Sequence, residues 1–188
     1  GHIYMDGKDY HSMKPEELRK HIAMVPQQVN LFSGTIRENL LLADPDADDQ
    51  TLMEAVKEAG LLKFVQSLEK GLNSDVGNAG ASLSGGQRQK IGIARALLSK
   101  AEYMIFDEAT SSVDPESEKE IWETIGHLAH TRTLIIISHR MSSVRGADCI
   151  YVLKDGRVAQ QGDHETLMAQ DGLYHELVIR QQAMEVAE

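Results

Sequence analysis

Short apolar runs alternate with longer amphipathic stretches along this chain. The runs at residues 22–25, 102–106 and 133–137 are bounded by charged or turn residues, which predicts strands. We expect the strand at 102–106 to be buried on both faces of a parallel sheet, because its side chains are mostly apolar. Alternation at residues 3–5 before an Asp-Gly pair, and a second Asp-Gly pair within 150–158, predict two hairpins.

Apolar residues at helical spacing predict the helices. The predicted helical segments are 15–19, 35–42, 49–59, 61–68, a segment from Ser84 to Leu98, a segment from Asp114 toward Ala129, and one near the C-terminus. Gly60 is placed to end the helix at 49–59, since glycine accepts the left-handed conformation that commonly closes a helix.

The helices between residues 28 and 87 predict an α-helical subdomain. This subdomain interrupts a core portion that comprises residues 1–27 and 88–188 of a single domain. Its apolar residues are expected to form a small core of their own, made of Leu52, Val56, Leu62, Phe64, Val65 and Leu68.

Composition excludes several classes of protein. A hydrophobic fraction of 41% and a charged fraction of 26% are typical of a globular domain. The net charge of −10 argues against a nucleic-acid surface, which needs a basic face. Apolar runs stay well short of the roughly 20 residues that span a bilayer, so membrane association is expected through a partner or through sequence outside these residues. The single cysteine, Cys149, is expected to be a small buried residue, which suits a reducing compartment.

Two neighbouring stretches carry candidate chemistry. Ser84 precedes Gly85 and Gly86 at a predicted helix start, where free backbone N–H groups and the helix dipole attract phosphate. The same turn also suits an ordinary capped helix. Asp107 and Glu108 end the strand that follows, at the position where open α/β sheets bind ligands. Together the two stretches indicate a site for a phosphate with magnesium.

The two stretches resemble the nucleotide-binding domain of ATP-binding cassette (ABC) ATPases. Residues 83–87, Leu-Ser-Gly-Gly-Gln, match the signature motif of that family letter for letter, and residues 103–108 match its Walker B strand with the adjoining glutamate. The resemblance implies an α/β fold, namely a truncated P-loop NTPase (RecA-like) core with a mostly parallel sheet plus the α-helical subdomain. It covers the later two thirds or so of a cassette domain.

The resemblance implies a role for each matching residue, with ATP and Mg²⁺ as cofactors. Asp107 is expected to orient Mg²⁺ through water, Glu108 to act as general base on the attacking water, and Gln27 to contact both the metal and that water. Residues of the signature motif are expected to close over ATP held by a second nucleotide-binding domain in a head-to-tail dimer; they are Ser84, Gly85, Gly86 and Gln87.

Two further residues match the family, and one position indicates the subclass. Asp114 ends a run, residues 109–114, that resembles the D-loop, and it is also a plausible helix cap. His139 follows the strand at 133–137 and resembles the switch histidine that contacts the γ-phosphate. Arg140 after this histidine is typical of exporters, whereas importers tend to have aspartate there.

The resemblance therefore implies the ATPase motor of an ABC exporter that moves multidrug-, lipid- or peptide-type substrates. Its partners are expected to be a transmembrane domain fused upstream and a second nucleotide-binding domain, at the cytoplasmic face of the membrane. Three alternatives stay open: an importer ATPase, a chromosome-maintenance or DNA-repair ATPase, and a non-enzymatic piece. The DNA-linked class carries a long coiled coil before the signature, whereas this chain has only residues 28–82 there.

A phosphate loop of the form G-x-x-x-x-G-K-[ST] does not occur in these residues, where the single Gly-Lys pair, Gly7-Lys8, precedes Asp9. In the family that loop lies upstream of the segment matched here. We therefore expect these residues alone neither to bind ATP tightly nor to hydrolyse it, and the sheet to expose an apolar edge that favours self-association. The remaining histidines show no ligand spacing with acids or cysteine, so no metal site held by the protein alone is assigned.

Overall fold

The computed structural model describes residues 1–111 and 113–185. Ser112 of the predicted D-loop run, and residues 186–188 of the predicted core portion, lie outside the described residues. The chain forms two compact units, Gly1–Ile137 and Ser138–Glu188.

A three-stranded parallel sheet forms the centre of the first unit. The unit begins with a hairpin of β1 (Tyr4–Met5) and β2 (Lys8–Asp9), whose Asp-Gly turn has positive φ at both positions, as the sequence predicts. The sheet follows, in the order β3 (Ile22–Val25), β4 (Tyr103–Asp107) and β5 (Thr133–Ile137). Because the strands are parallel, their carboxyl ends lie at one edge of the sheet.

Six helices accompany these strands among the described residues of the first unit. They are α1 (Pro15–His21), α2 (Ile36–Leu41), α3 (Asp49–Glu58), α4 (Leu62–Ser67), α5 (Gly85–Leu98) and α6 (Pro115–Leu128). Gly60 ends α3 as predicted: its φ is +70°, and the N–H groups of Gly60 and Leu61 donate to the carbonyl oxygens of Lys57 and Val56.

Helix α5 packs in the interior of this unit, since most of its 14 residues are buried. It packs against β3 as well as against α2 and α3. Leu52, Val56 and Val65 therefore belong to the same apolar cluster as Ile91 and Phe106. The expectation that the helical segment has a small core of its own is wrong, because α5 is buried on nearly all sides and joins α2 and α3 to the sheet in one apolar cluster.

The two faces of the sheet differ in exposure. Side chains alternate along each strand, so Val25 and Phe106, both fully buried, point toward the apolar cluster. Met24, Ile135 and Ile137 point the other way and are 54%, 48% and 49% exposed. The expectation that β4 is buried on both faces is therefore wrong: Tyr103 and Ile105 of β4, on the exposed face, are only partly buried.

Within residues 138–185, the described part of the second unit is a hairpin with three helices. It contains α7 (Met141–Val144), β6 (Ile150–Lys154), β7 (Arg157–Gly162), α8 (His164–Ala169) and α9 (Leu173–Glu185).

A separate apolar cluster holds the second unit together; its buried members are Ile150, Val152, Leu167, Tyr174 and Val178. Cys149 is exposed, contrary to expectation, and its Sγ accepts a hydrogen bond from Gln161 Nε2 at 3.6 Å. Cys149 directly precedes β6. Because side chains alternate along a strand, Ile150 faces inward and the adjacent Cys149 lies at the surface.

These features confirm the predicted α/β class with a parallel sheet. The division into residues 28–87 and a core portion of 1–27 with 88–188 stays a prediction. None of the helices in the described part of the chain combines the length and the apolar character that crossing a membrane requires.

Candidate functional site

Gln27 and Glu108 meet at the carboxyl ends of β3 and β4. Gln27 Nε2 donates hydrogen bonds to Glu108 Oε2 at 3.1 Å and to Ser111 Oγ at 2.9 Å, although more than 80 residues separate it from both partners in the sequence. The parallel register explains the encounter, because Val25 of β3 pairs with Phe106 of β4 and each polar residue follows two positions later. The structure thus brings together two of the three residues for which the sequence predicts a catalytic role.

Glu108 has an unusual backbone conformation. Its φ is +46°, in the left-handed region that residues other than glycine rarely adopt, and its N–H donates to the carbonyl oxygen of Ile137 at 2.9 Å. The strained turn directs the chain away from β4 immediately after Asp107. Such strain persists only where surrounding structure holds it, and it is concentrated at functional sites.

Ser111 is a residue of this site that the sequence alone did not single out. Its hydroxyl accepts from Gln27, and its N–H donates to the carbonyl oxygen of Glu108 at 3.1 Å. It lies in the run at 109–114, where the family resemblance drew attention to Asp114 instead. A hydroxyl residue three positions after a strand-end acid was the available signal.

Helix α5 holds the segment that carries Gln27. Gln89, which is 3% exposed, donates from Nε2 to the carbonyl oxygen of Pro26 at 2.9 Å. At Gly92, a Cβ atom would lie 2.5 Å from Val29 Cγ2, so only glycine permits this approach. One face of α5 therefore fixes the chain on both sides of Gln27, a role for Gln89 and Gly92 that the sequence pattern did not indicate.

The N-terminus of α5 carries the Ser-Gly-Gly turn. Ser84 caps the helix reciprocally with Gln87: Gln87 N–H donates to Ser84 Oγ at 3.1 Å, and Ser84 N–H donates to Gln87 Oε1 at 2.9 Å. Gly85 is partly buried, and Gly86 is buried against α6, where a Cβ atom would lie 2.6 Å from Ser117 Cβ. The turn is thus an ordinary capped helix start, and Gly86 has a packing reason to be glycine.

Asp114 caps α6. Its Oδ1 accepts from the N–H of Ser117 at 2.9 Å, and this hydrogen bond lowers the pKa of the exposed carboxyl group below its usual value. The capping role is therefore observed, while the nucleotide-binding role implied by the resemblance stays a prediction. His139 lies in the second unit, two residues beyond β5, and its side chain is exposed. Its role is likewise a prediction.

Oxygen ligands suitable for Mg²⁺ occur at the end of β4. Asp107 offers a partly buried carboxylate, and the Gln27 amide, whose nitrogen bonds to Glu108, offers a carbonyl oxygen. Carboxylate and amide oxygens are the hard ligands that Mg²⁺ prefers. The donor set at this edge therefore fits the ion, without excluding other uses of the same groups.

The structure groups three side chains for which the sequence shows no ligand spacing. His2 and His11 group with Asp9, and one ligand atom from each of the three lies within 4.8 Å of the others. The sequence separation hid this grouping, since the β1–β2 hairpin folds residue 2 back beside residues 9 and 11.

The fold is that of an open α/β protein, and its two strand-end acids and the neighbouring glutamine lie at the carboxyl ends of parallel strands, where such folds bind ligands. The sequence profile of the family described as ABC transporter matches residues 1–111. The chain belongs to the ABC transporter family, and the resemblance noted from the sequence is confirmed.

Individual relatives support this assignment. ATP-dependent lipid A-core flippase 1 of Colwellia psychrerythraea is 41% identical over 177 residues, which are 94% of this chain and 29% of the flippase. Leptomycin B resistance protein pmd1 of Schizosaccharomyces pombe is 41% identical over 182 residues, 96% of this chain and 13% of that protein.

A solved bacterial Atm1-family ABC exporter with ATP bound superposes with a TM-score of 0.89 at 38% identity. The match covers 96% of this chain and 32% of the exporter. The chain thus spans less than a third of the length of each of these three proteins.

Proposed function

We propose that this chain is the ATP-hydrolysing motor segment of an ABC exporter. The observation that carries the proposal is the hydrogen bond between Gln27 and Glu108 at the carboxyl ends of two parallel strands. The similarity to a flippase, a drug-resistance protein and an exporter supports the export direction. Arg140, directly after His139, agrees with the exporter subclass.

Glu108 is the general base of the proposed reaction. Its carboxylate takes the proton of the water that attacks the γ-phosphate, a step that typically contributes about 10² to 10⁴ in rate. The Gln27 amide fixes one oxygen of this carboxylate, and Ser111 holds the amide in turn. The strained backbone of Glu108 keeps the carboxylate at the strand end.

The remaining residues bind and position the nucleotide. Asp107 and the Gln27 amide oxygen would hold Mg²⁺, which when bound neutralises charge on the β- and γ-phosphates. His139 would contact the γ-phosphate. The residues of the glycine turn and of the α6 cap would contact ATP held by a second nucleotide-binding domain in a head-to-tail dimer; they are Ser84, Gly85, Gly86, Gln87 and Asp114.

The proposed setting is the cytoplasmic face of a membrane, with a transmembrane domain in the same protein. A chimera tests the motor function: these 188 residues replace the matching segment of the Colwellia psychrerythraea flippase. We expect Mg²⁺-dependent phosphate release from the chimera in detergent. Glu108→Gln should lower this rate by about 10² or more while ATP stays bound, because the variant keeps its shape and loses the base.

Glu102→Gln is the matched control, because Glu102 is an exposed acid at the opposite end of the same strand, beside His21. It should leave the rate unchanged. A Glu108→Gln chimera that turns over ATP at the rate of the parent chimera would refute the assignment of the base.

The 188 residues alone are proposed to be inactive, since they contain no phosphate loop with its lysine. Calorimetric titration with Mg-ATP should show no micromolar binding, and phosphate release should equal the buffer background. Micromolar binding to this chain would contradict the proposal.

A further inference from the structure

We propose that His2, Asp9 and His11 form a site for a divalent transition-metal ion, of which Zn²⁺ is the example tested below. The three residues lie at the hairpin of β1 and β2 and at the turn that follows it. None of them belongs to the nucleotide chemistry proposed above, so the inference is independent of that function.

Main-chain hydrogen bonds place the three residues side by side. Asp9 ends β2, and His11 lies in the short 3₁₀ helix Tyr10–Ser12 that follows. The N–H of Tyr10 donates to the carbonyl oxygen of Ile3 at 2.9 Å, which ties this turn to the residue after His2. Backbone contacts thus bring the chain segments that carry the three side chains together.

Asp9 is the fixed member of the group. The N–H of His11 donates to Asp9 Oδ1 at 3.0 Å, while His2 Nδ1 lies 2.6 Å from Asp9 Oδ2 and His11 Nδ1 lies 3.1 Å from Asp9 Oδ1. The carboxylate is 26% exposed, whereas the two imidazole rings are 64% and 56% exposed.

The ligand chemistry fits a borderline divalent ion. Two imidazole nitrogens and one carboxylate oxygen suit Zn²⁺, Cu²⁺ or Ni²⁺ better than Mg²⁺ or Ca²⁺, which prefer oxygen alone. Zinc bound by three protein ligands completes its coordination with water. Ligand atoms about 2.0–2.2 Å from a tetrahedral zinc lie roughly 3.3 Å apart.

The observed spacing is close to this requirement. The ligand atoms already lie within 4.8 Å of one another, so rotation of the two exposed imidazole rings can bring them to the spacing of a bound ion. Asp9 need not move, since the His11 N–H continues to hold one of its oxygens. A bound ion would join His2, two residues before β1, to the turn after β2 and close this hairpin.

Calorimetric titration of the 188-residue chain with ZnCl₂ tests the site. We expect one tight equivalent, with affinity lowered by about tenfold or more in each of His2→Gln, Asp9→Asn and His11→Gln. Cobalt(II) provides a second readout, because visible absorption reports its coordination directly, and the same three variants should lose that absorption. Far-UV circular dichroism checks that each variant keeps its secondary structure.

The chain also contains a matched control. His127 and His130 are exposed and three positions apart at the end of α6, a spacing at which two imidazoles can hold a metal ion adventitiously. The double variant His127→Gln/His130→Gln should bind zinc as tightly as the unaltered chain. The proposal is overturned if this double variant loses the tight equivalent, if the three hairpin variants keep it, or if the unaltered chain takes up no zinc.

Discussion

Asn39 in α2 is the residue whose replacement should most clearly weaken the first unit. Its side chain is 1% exposed and makes four hydrogen bonds. Oδ1 accepts from Phe32 N–H at 2.9 Å and from Arg95 Nη2 at 2.6 Å, and Nδ2 donates to the carbonyl oxygens of Phe32 and Thr35, each at 2.9 Å. Asn39 thus joins the loop after β3 to helices α2 and α5.

Arg95 makes this network sensitive to loss of one member. Its partners are the carbonyl oxygens of Asn30 and Asn39 and the Asn39 side chain, and burial lowers the pKa of the guanidinium group. Asn39→Ala leaves a partly buried cation with one partner fewer and the N–H of Phe32 without its acceptor. Each buried hydrogen bond contributes about 1 kcal/mol net, so we expect a loss of about 3–5 kcal/mol in the free energy of unfolding.

Urea denaturation measures this loss. The single tryptophan, Trp122 in α6, is packed against the apolar cluster of the first unit and reports its unfolding by fluorescence. Asn73→Ala is the control, because Asn73 is exposed and accepts a single bond from Arg37 Nε at 2.9 Å; it should cost less than about 1 kcal/mol. Equal destabilisation by the two variants would refute the reasoning about buried partners.

Two further predictions concern acid stability and self-association. The N–H of Thr51 lowers the pKa of the Asp48 carboxyl group at the start of α3, so this cap stabilises the fold above about pH 4 and is lost as the pH falls further. Asp48→Asn should therefore reduce the fall of the urea midpoint between about pH 4 and pH 2 and change it little at pH 7, since asparagine caps equally well. The exposed apolar face of the sheet should cause association that rises with concentration in sedimentation velocity, and Ile135→Lys/Ile137→Lys should abolish it; monomers throughout in the unaltered chain would contradict this.

Much of the architecture follows from local pattern. The strands at 22–25 and 133–137 are as predicted, and both Asp-Gly turns have positive φ at each position, because these residue types leave few other conformations. The pairing of Gln27 with Glu108 was accessible through the resemblance to ABC ATPases, and it follows physically from the parallel register.

Contacts between distant segments could not be predicted from local pattern. Nothing local to Arg95 or Gln89 distinguishes them from polar residues on a solvent-facing helix side, because their partners include the main-chain oxygens of Asn30 and Pro26 in a remote loop. The same holds for Asn39, whose Oδ1 accepts from Arg95, 56 positions away in the sequence. Cys149 was misassigned for a related reason: one position decides whether a residue beside a strand faces inward.

The close contact between Gly86 and Ser117 has a mechanical consequence. Because a Cβ atom at Gly86 would lie 2.6 Å from Ser117 Cβ, any larger residue at position 86 would push the first turns of α5 and α6 apart. Ser84 and Asp114, which cap these two turns, would then be moved apart as well.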